Sequence, residues 1–104
     1  MHWKIEYSNK ARDDLKTVFE VIAYDFLELT TAKRQVERIM KAVRTLDLMP
    51  LRHRIYDEEP LKSKGLRFLP IDKYIIFYIP NEETHTVSIV RILPGGMDMK
   101  SQFK

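Results

Sequence analysis

The sequence contains no cysteine. That excludes disulfide stapling, thiolate chemistry and any Cys-based zinc site, so the fold has to stand on its hydrophobic core. Nor does any stretch approach the roughly 18 consecutive apolar residues that a membrane-spanning helix needs. Met1-His2-Trp3-Lys4 leads straight into a strand-like pattern and not into a signal peptide, so the expectation is a cytoplasmic protein with no membrane partner. His2, His53 and His85 are scattered with no ligand spacing, and no metal or cofactor is expected. A G-x-S-x-G nucleophile elbow is missing, and Gly95-Gly96 reads as a turn after a strand, not as a phosphate loop. Repeats, low-complexity tracts and inter-domain linkers are also absent.

What is present suits one globular domain spanning residues 1–104: hydrophobic residues at 44% suffice for a single core, and charged residues at 32% cover its surface. The strongest pattern lies between Leu66 and Leu93. Tyr74 to Ile79 is a continuous aromatic and β-branched run closed by Pro80 and Asn81, and Thr86 to Leu93 alternates Val87, Ile89 and Arg91 against Ser88, Val90 and Ile92. The polar segment from Pro80 to His85 joins them as a hairpin loop longer than the two-residue type. Leu66 to Ile71 is a third short strand, its Pro70 confined to an edge, an end or a bulge, and Asp72-Lys73 turns it into the middle one.

Upstream, Trp3-Lys4-Ile5-Glu6-Tyr7 alternates like an outer strand with one buried face. Ser8 is the expected N-cap of a helix running roughly from Asn9 to Leu29, with Asp13 and Asp14 in its early turns and Ala11, Leu15, Val18, Phe19, Ile22 and Phe26 as its apolar stripe. Thr30 or Thr31 is expected to cap a second helix, with Ala32, Val36, Ile39, Met40, Val43 and Leu46 inward and Pro50 ending the run. The short join makes an antiparallel helical hairpin. Between Pro50 and Gly65 the pattern breaks down into an ordered loop with a short strand near its start. The predicted fold is therefore α+β: an N-terminal edge strand, an α-helical hairpin, then a three-stranded antiparallel meander forming a small twisted sheet. Its expected core is Ile5, Leu15, Phe19, Ile22, Val36, Ile39, Val43, Ile76, Tyr78, Val87 and Ile89.

The chemistry lies in the cations. Eighteen Lys and Arg against fifteen Asp and Glu give +3, which permits an anionic partner without requiring one. Lys33, Arg34, Arg38, Lys41 and Arg44 fill the polar side of the second helix with Glu37; the ordinary reading is a solvated face with i,i+4 pairs such as Glu37 with Lys41. Arg52, Arg54, Lys62, Lys64 and Lys100 are candidate nucleic-acid contacts. If Arg67 and Arg91 project from one side of the sheet, the loop cations and these two form a positive concavity able to hold phosphates; otherwise they pair with acidic neighbours.

An ordered series of short motifs extends over nearly the whole chain: K-I-E-Y at Lys4 to Tyr7, L-x-x-x-P at Leu46 to Pro50, G-L-R-x-L-P at Gly65 to Pro70, Y-I-I-F-Y at Tyr74 to Tyr78, and V-x-I-V-R-I-L at Val87 to Leu93 followed by Asp98. Together they resemble the RelE/ParE superfamily of toxins from bacterial type II toxin-antitoxin systems. The resemblance implies the fold just described, growth inhibition or plasmid stabilisation as the role, and neutralisation by a cognate antitoxin in a hetero-oligomer. It leaves two targets open. ParE-like members inhibit DNA gyrase, whereas RelE-like members are ribosome-dependent endoribonucleases that cut mRNA, using basic residues and in many a C-terminal Tyr or His.

By that resemblance Arg67 and Arg91 match frequent family arginines and, with Lys64, are the catalytic candidates. One departure bears on the choice. Many members read roughly H-G-R-R-D after the last strand, where this chain has Pro94-Gly95-Gly96-Met97-Asp98, so both arginines are missing. Lys100 is the nearest substitute, and a lysine does not reproduce the bidentate guanidinium fork.

Overall fold

The computed structural model describes residues 2–25 and 27–103. Strand β1 (Lys4–Tyr7) leads into helix α1 (Asn9–Asp25), helix α2 (Leu29–Arg44), a two-residue strand β2 (Arg54–Ile55), strands β3 (Arg67–Ile71), β4 (Tyr74–Asn81) and β5 (Thr86–Pro94), and a short helix α3 (Met99–Gln102). One five-stranded sheet has the order β1-β5-β4-β3-β2, antiparallel except that β1 runs parallel to β5. The N-terminal strand is indeed an edge, and the meander is the one anticipated. Among the described residues no helix is long and apolar enough to cross a membrane.

Ser8 starts α1 as its residue type predicts. Its Oγ accepts from the Ala11 amide at 2.9 Å and donates to the Val90 carbonyl at 2.8 Å, so the cap that satisfies an orphan helix donor also fastens the helix to β5. The helix is shorter than the periodicity suggested, because Leu27 adopts a left-handed φ of 51° that reverses the chain. Phe26, assigned to the apolar stripe, lies outside the described residues. Helix α2 begins at Leu29, so Thr30 and Thr31 fall inside its first turn and Glu28 precedes it without a side-chain cap. It ends at Arg44 in a 3₁₀ turn, Thr45–Asp47, and Pro50 opens a second such turn instead of closing the helix.

The core lies between the helical hairpin and one sheet face. Ala11, Val18, Ile22, Ala32, Ile39, Val43, Leu46, Ile76, Tyr78, Val87, Ile89 and Ile92 are buried there, with Ile5, Leu15 and Val36 half-buried against them. Met40, expected on the inward stripe of α2, is 37% exposed, and in the expected core the one misplaced residue is Phe19, being 36% exposed. It sits about 100° round the helix from Val18, off the stripe that Ala11, Leu15, Val18 and Ile22 define.

The opposite sheet face is covered too. Leu66, Phe77 and Leu93 are buried beneath Tyr56, Leu61, Met99 and Phe103, with the Phe77 and Phe103 rings 5.0 Å apart edge to face. Burial on both faces is why β4 reads as a continuous apolar run and not as an alternation. The β5 alternation is broken by a bulge: Tyr78 pairs with Ile89 but Phe77 with Arg91, leaving Val90 over. Ile92, not Arg91, consequently joins Val87 and Ile89 on the helix side.

Ile76, fully buried on a central strand, should lose roughly 2 to 5 kcal/mol on truncation to Ala. Phe19→Ala should cost markedly less. Urea titration of both variants against the parent checks the ranking, and equal midpoints would place the wrong side of α1 in the core.

Candidate functional site

The bulge in β5 determines what Arg91 can do. Its guanidinium donates from Nε to Asp14 Oδ2 at 2.8 Å and from Nη2 to Oδ1 at 2.9 Å, a bidentate pair with both side chains about 15% exposed or less. Asp14 Oδ2 also accepts from the Ile92 amide at 2.9 Å, and Arg91 Nη1 donates to the Gln102 carbonyl at 3.4 Å. The hydrogen bonds to Asp14 hold Arg91 even further above its usual range, so it is a permanent cation. By sequence Asp14 is only a favourable charge near the start of α1, yet it stands three residues from Ala11 and four from Val18, the spacing of neighbours on one helix face, and that is the signal of a packed partner.

Arg67 is also engaged. Paired across the sheet with Tyr78, it donates from Nη1 to the Leu51 carbonyl at 3.0 Å and the His53 carbonyl at 2.7 Å. Arg52 performs the same service one turn away, reaching the Leu48 carbonyl at 2.6 Å and the Thr45 carbonyl at 3.5 Å. The Tyr78 hydroxyl completes the anchoring by donating to the Pro50 carbonyl at 2.6 Å, and burial pushes its pKa up to about 12, so it stays a donor. Three side chains thus tie down a segment whose own backbone forms little regular structure. His53 packs edge-on against Tyr78, with a ring-centroid separation of 6.3 Å, and its Nε2 is buried without a hydrogen-bond partner. Desolvation, then the nearby Arg52 and Arg67 charges, lower its pKa.

The other cations divide between two adjoining clefts on the α3 side of the sheet. Arg54 and Lys62 line one of about 630 Å³ with Tyr56, Asp57, Phe68 and Phe77. Lys64 and Lys100 line another of about 710 Å³ with Tyr56, Glu58, Glu59 and Phe103. Lys62 Nζ lies 2.9 Å from Asp57 and Lys100 Nζ 3.7 Å from Glu58, both in solvent-exposed pairs. Arg54 and Lys64 form no side-chain ion pair among the described residues. The structure therefore brings Arg54 near Lys62, Lys64 near Lys100, and Arg67 near Arg52, while Arg91 is held by α1. A phosphate bound by Arg67 would compete with two carbonyls, and one bound by Arg91 with a carboxylate. Among the described residues no three His, Asp or Glu side chains gather as metal ligands.

Comparison with known proteins gives this geometry its family. The family model described as the ParE toxin of type II toxin-antitoxin systems, parDE, matches residues 5–99. The chain belongs to the ParE toxin family. No curated protein sequence matches it. Among solved structures, a chain of the chromosomal ParDE system from P. aeruginosa superposes with a TM-score of 0.75 at 16% identity, covering 89% of this chain and 96% of that one. The RelBE2 toxin-antitoxin complex of Mycobacterium tuberculosis gives 0.69 at 20% identity, covering 90% and 99%. Isolated E. coli RelE gives 0.52 at 7% identity, covering 96% and 93%. At these identities the structural likeness establishes the fold, which ParE and RelE proteins share, and the family model supplies the assignment as a toxin of a type II system.

Two outcomes follow for this ParE family member. Breaking the Asp14–Arg91 pair by either alanine substitution should cost roughly 2 to 4 kcal/mol, and the double variant less than the sum of the singles, as a double-mutant cycle in urea would measure. The second outcome concerns His53, whose ordinary pKa is 6.5 and whose folded value is lower. The unfolded chain then binds the extra proton first, so the contribution is fully present above 6.5 and lost as pH falls through the folded value. Unfolding midpoints taken between pH 7.5 and 5 should fall less steeply in His53→Gln than in the parent.

Proposed function

We propose that this toxin acts in the cytoplasm as a ParE-like inhibitor of DNA gyrase and is silenced by a cognate antitoxin. The observation that carries the choice of target is the commitment of Arg67 and Arg91. Both arginines that could have stabilised a scissile phosphate are tied into the scaffold. From Pro94, the last residue of β5, through Gly95-Gly96-Met97 the chain supplies no cation in their place. Removing one such preorganised electrostatic contact typically costs an enzyme about 10²-fold or more in rate. Lys64, the third catalytic candidate, is exposed and has no bidentate geometry to offer.

For the antitoxin, support comes from the related ParDE and RelBE complexes, in which the toxin fold is found with an antitoxin. This chain also exposes Tyr24, Leu27 and Leu29 at the hairpin turn and Leu48, Met49, Leu51 and Ile55 along the segment leading into β2. Exposed apolar groups of this number suit a protein partner.

Purified toxin should block supercoiling of relaxed plasmid by gyrase, and primer extension on translated messages should show no codon-dependent cleavage. Cleavage within translated codons, with supercoiling intact, would overturn the gyrase reading in favour of the ribonuclease. Arg67→Ala sharpens the distinction: a message cleavage abolished by that change in a still-folded protein would return Arg67 to the status of a catalytic residue.

A further inference from the structure

Helix α2 carries Lys33, Arg34, Arg38, Lys41 and Arg44 against a single acid, Glu37, which makes the helix +4 in a chain whose total is +3. The rest of the chain therefore nets −1, its acids gathered mostly in the loops, and α2 alone carries more than the net positive charge. At 100° per residue these six side chains fall within an arc of about 140°. All six are exposed, and the arc is opposed by Ala32, Ile39 and Val43, each with 0% exposure. Only Arg38 has an acidic partner among the described residues, in Asp72 at 2.8 Å; Glu37 does not form the expected pair with Lys41. Lys33, Arg34, Lys41 and Arg44 therefore project as uncompensated cations along roughly 16 Å of helix.

From this face we infer a second binding function, independent of the toxin's target: the outer surface of α2 docks on the phosphate backbone of B-form duplex DNA. A protein partner fits poorly, because stable protein interfaces are built around a desolvated apolar or aromatic centre. The arc contains no apolar residue, and Met40, at its margin, is 37% exposed. Single-stranded RNA or DNA is bound largely by stacking on aromatic side chains, and the helix has none. Duplex RNA keeps its phosphates around a deep, narrow major groove, whereas the major groove of B-DNA is wide enough to admit an α-helix between two phosphate rows. Lysine and arginine on both flanks of the arc meet those rows, and no residue on it is suited to apolar base contact, so binding is sequence-independent.

The test uses the full chain, freed of antitoxin, and a fluorescein-labelled 20-bp duplex of arbitrary sequence, with anisotropy read from 50 to 200 mM NaCl. Four phosphate contacts give a log–log salt slope of about −3.6 and a loss of affinity of about a hundredfold over that range. Replacing Lys33, Arg34, Lys41 and Arg44 together by Gln should weaken binding at least about tenfold at 100 mM salt and flatten the slope, with the circular dichroism of the parent. Arg34→Lys with Arg44→Lys should restore most of it, while Lys10→Gln with Arg12→Gln, at exposed cations of α1, should change little. An unchanged slope in the quadruple variant would overturn the assignment. So would equal or tighter binding of a same-sequence RNA duplex, or displacement of the DNA by polyglutamate at matched charge, which would mark the face as one for an acidic protein. Gyrase inhibition that survives the quadruple change separates this function from the target itself.

Discussion

A carboxylate that accepts three hydrogen bonds across the joint between helix and sheet governs the arrangement of this toxin. Asp14 receives two from Arg91 and one from the Ile92 amide, and Arg91 in turn reaches the carbonyl of Gln102. One pair therefore couples α1, β5 and α3. Its geometry depends on the bulge at Val90, since a regular strand would have kept the alternation and put Arg91 on the helix side with Val87 and Ile89. The bulge is itself held, because Ser8 donates to the Val90 carbonyl while capping α1. Helix start, strand irregularity and buried ion pair are mutually dependent, which is how locally costly features persist.

The same economy of polar groups recurs at the other end of the sheet. From Thr45 to His53 the chain makes two 3₁₀ turns and passes through Met49 at a left-handed φ of 50°, so few of its carbonyls find regular partners. Arg52, Arg67 and Tyr78 meet five of those carbonyls. An arginine used this way keeps its charge but loses freedom to reorient toward a ligand, since each donor that turns away leaves a carbonyl to be resolvated. Along α2 the cost is different. Arg38, with Gln35, clamps Asp72 at the β3–β4 turn, where Asp72 has a φ of 55°, and the helix is thereby registered on the sheet by one of its cations while the others are left to solvent.

Much of this fold is legible in the sequence because its signals are local. The run Tyr74 to Ile79, the stripe of Ala32, Ile39 and Val43, and the Ser8 cap each follow from periodicity or from a residue's own hydrogen-bonding capacity. What escapes is non-local or carried by backbone. The bulge leaves only a change of phase in residues 86–93, where apolar Val87 and Ile89 give way to Val90 and Ile92 around Arg91, a trace easily lost in so apolar a run. Asp14 and Arg91 are 77 positions apart, and only their contact explains either. Arg67 was legible as a cation on a strand but not as a donor to Leu51 and His53, because carbonyl acceptors have no residue type. Helix α3 is four residues long, too short for a period, and the apolar face it covers is visible in the sequence only as an unexplained richness of β4.

Charge placement ties these observations to function. Cations needed by the fold are paired or bonded at short range: Arg91 to Asp14, Arg38 to Asp72, Arg52 and Arg67 to carbonyls. Such contacts are insensitive to salt to the extent that they are buried. Four cations that the fold does not use, Lys33, Arg34, Lys41 and Arg44, share the outer face of α2, where their field adds coherently and acts over about a Debye length, roughly 8 to 10 Å. A solvated helix needs no such asymmetry, because alternating signs at i,i+4 spacing would stabilise it better than a row of like charges does. Like charges within one arc destabilise the helix they sit on, and α2 carries that cost on the face that contributes nothing to the core.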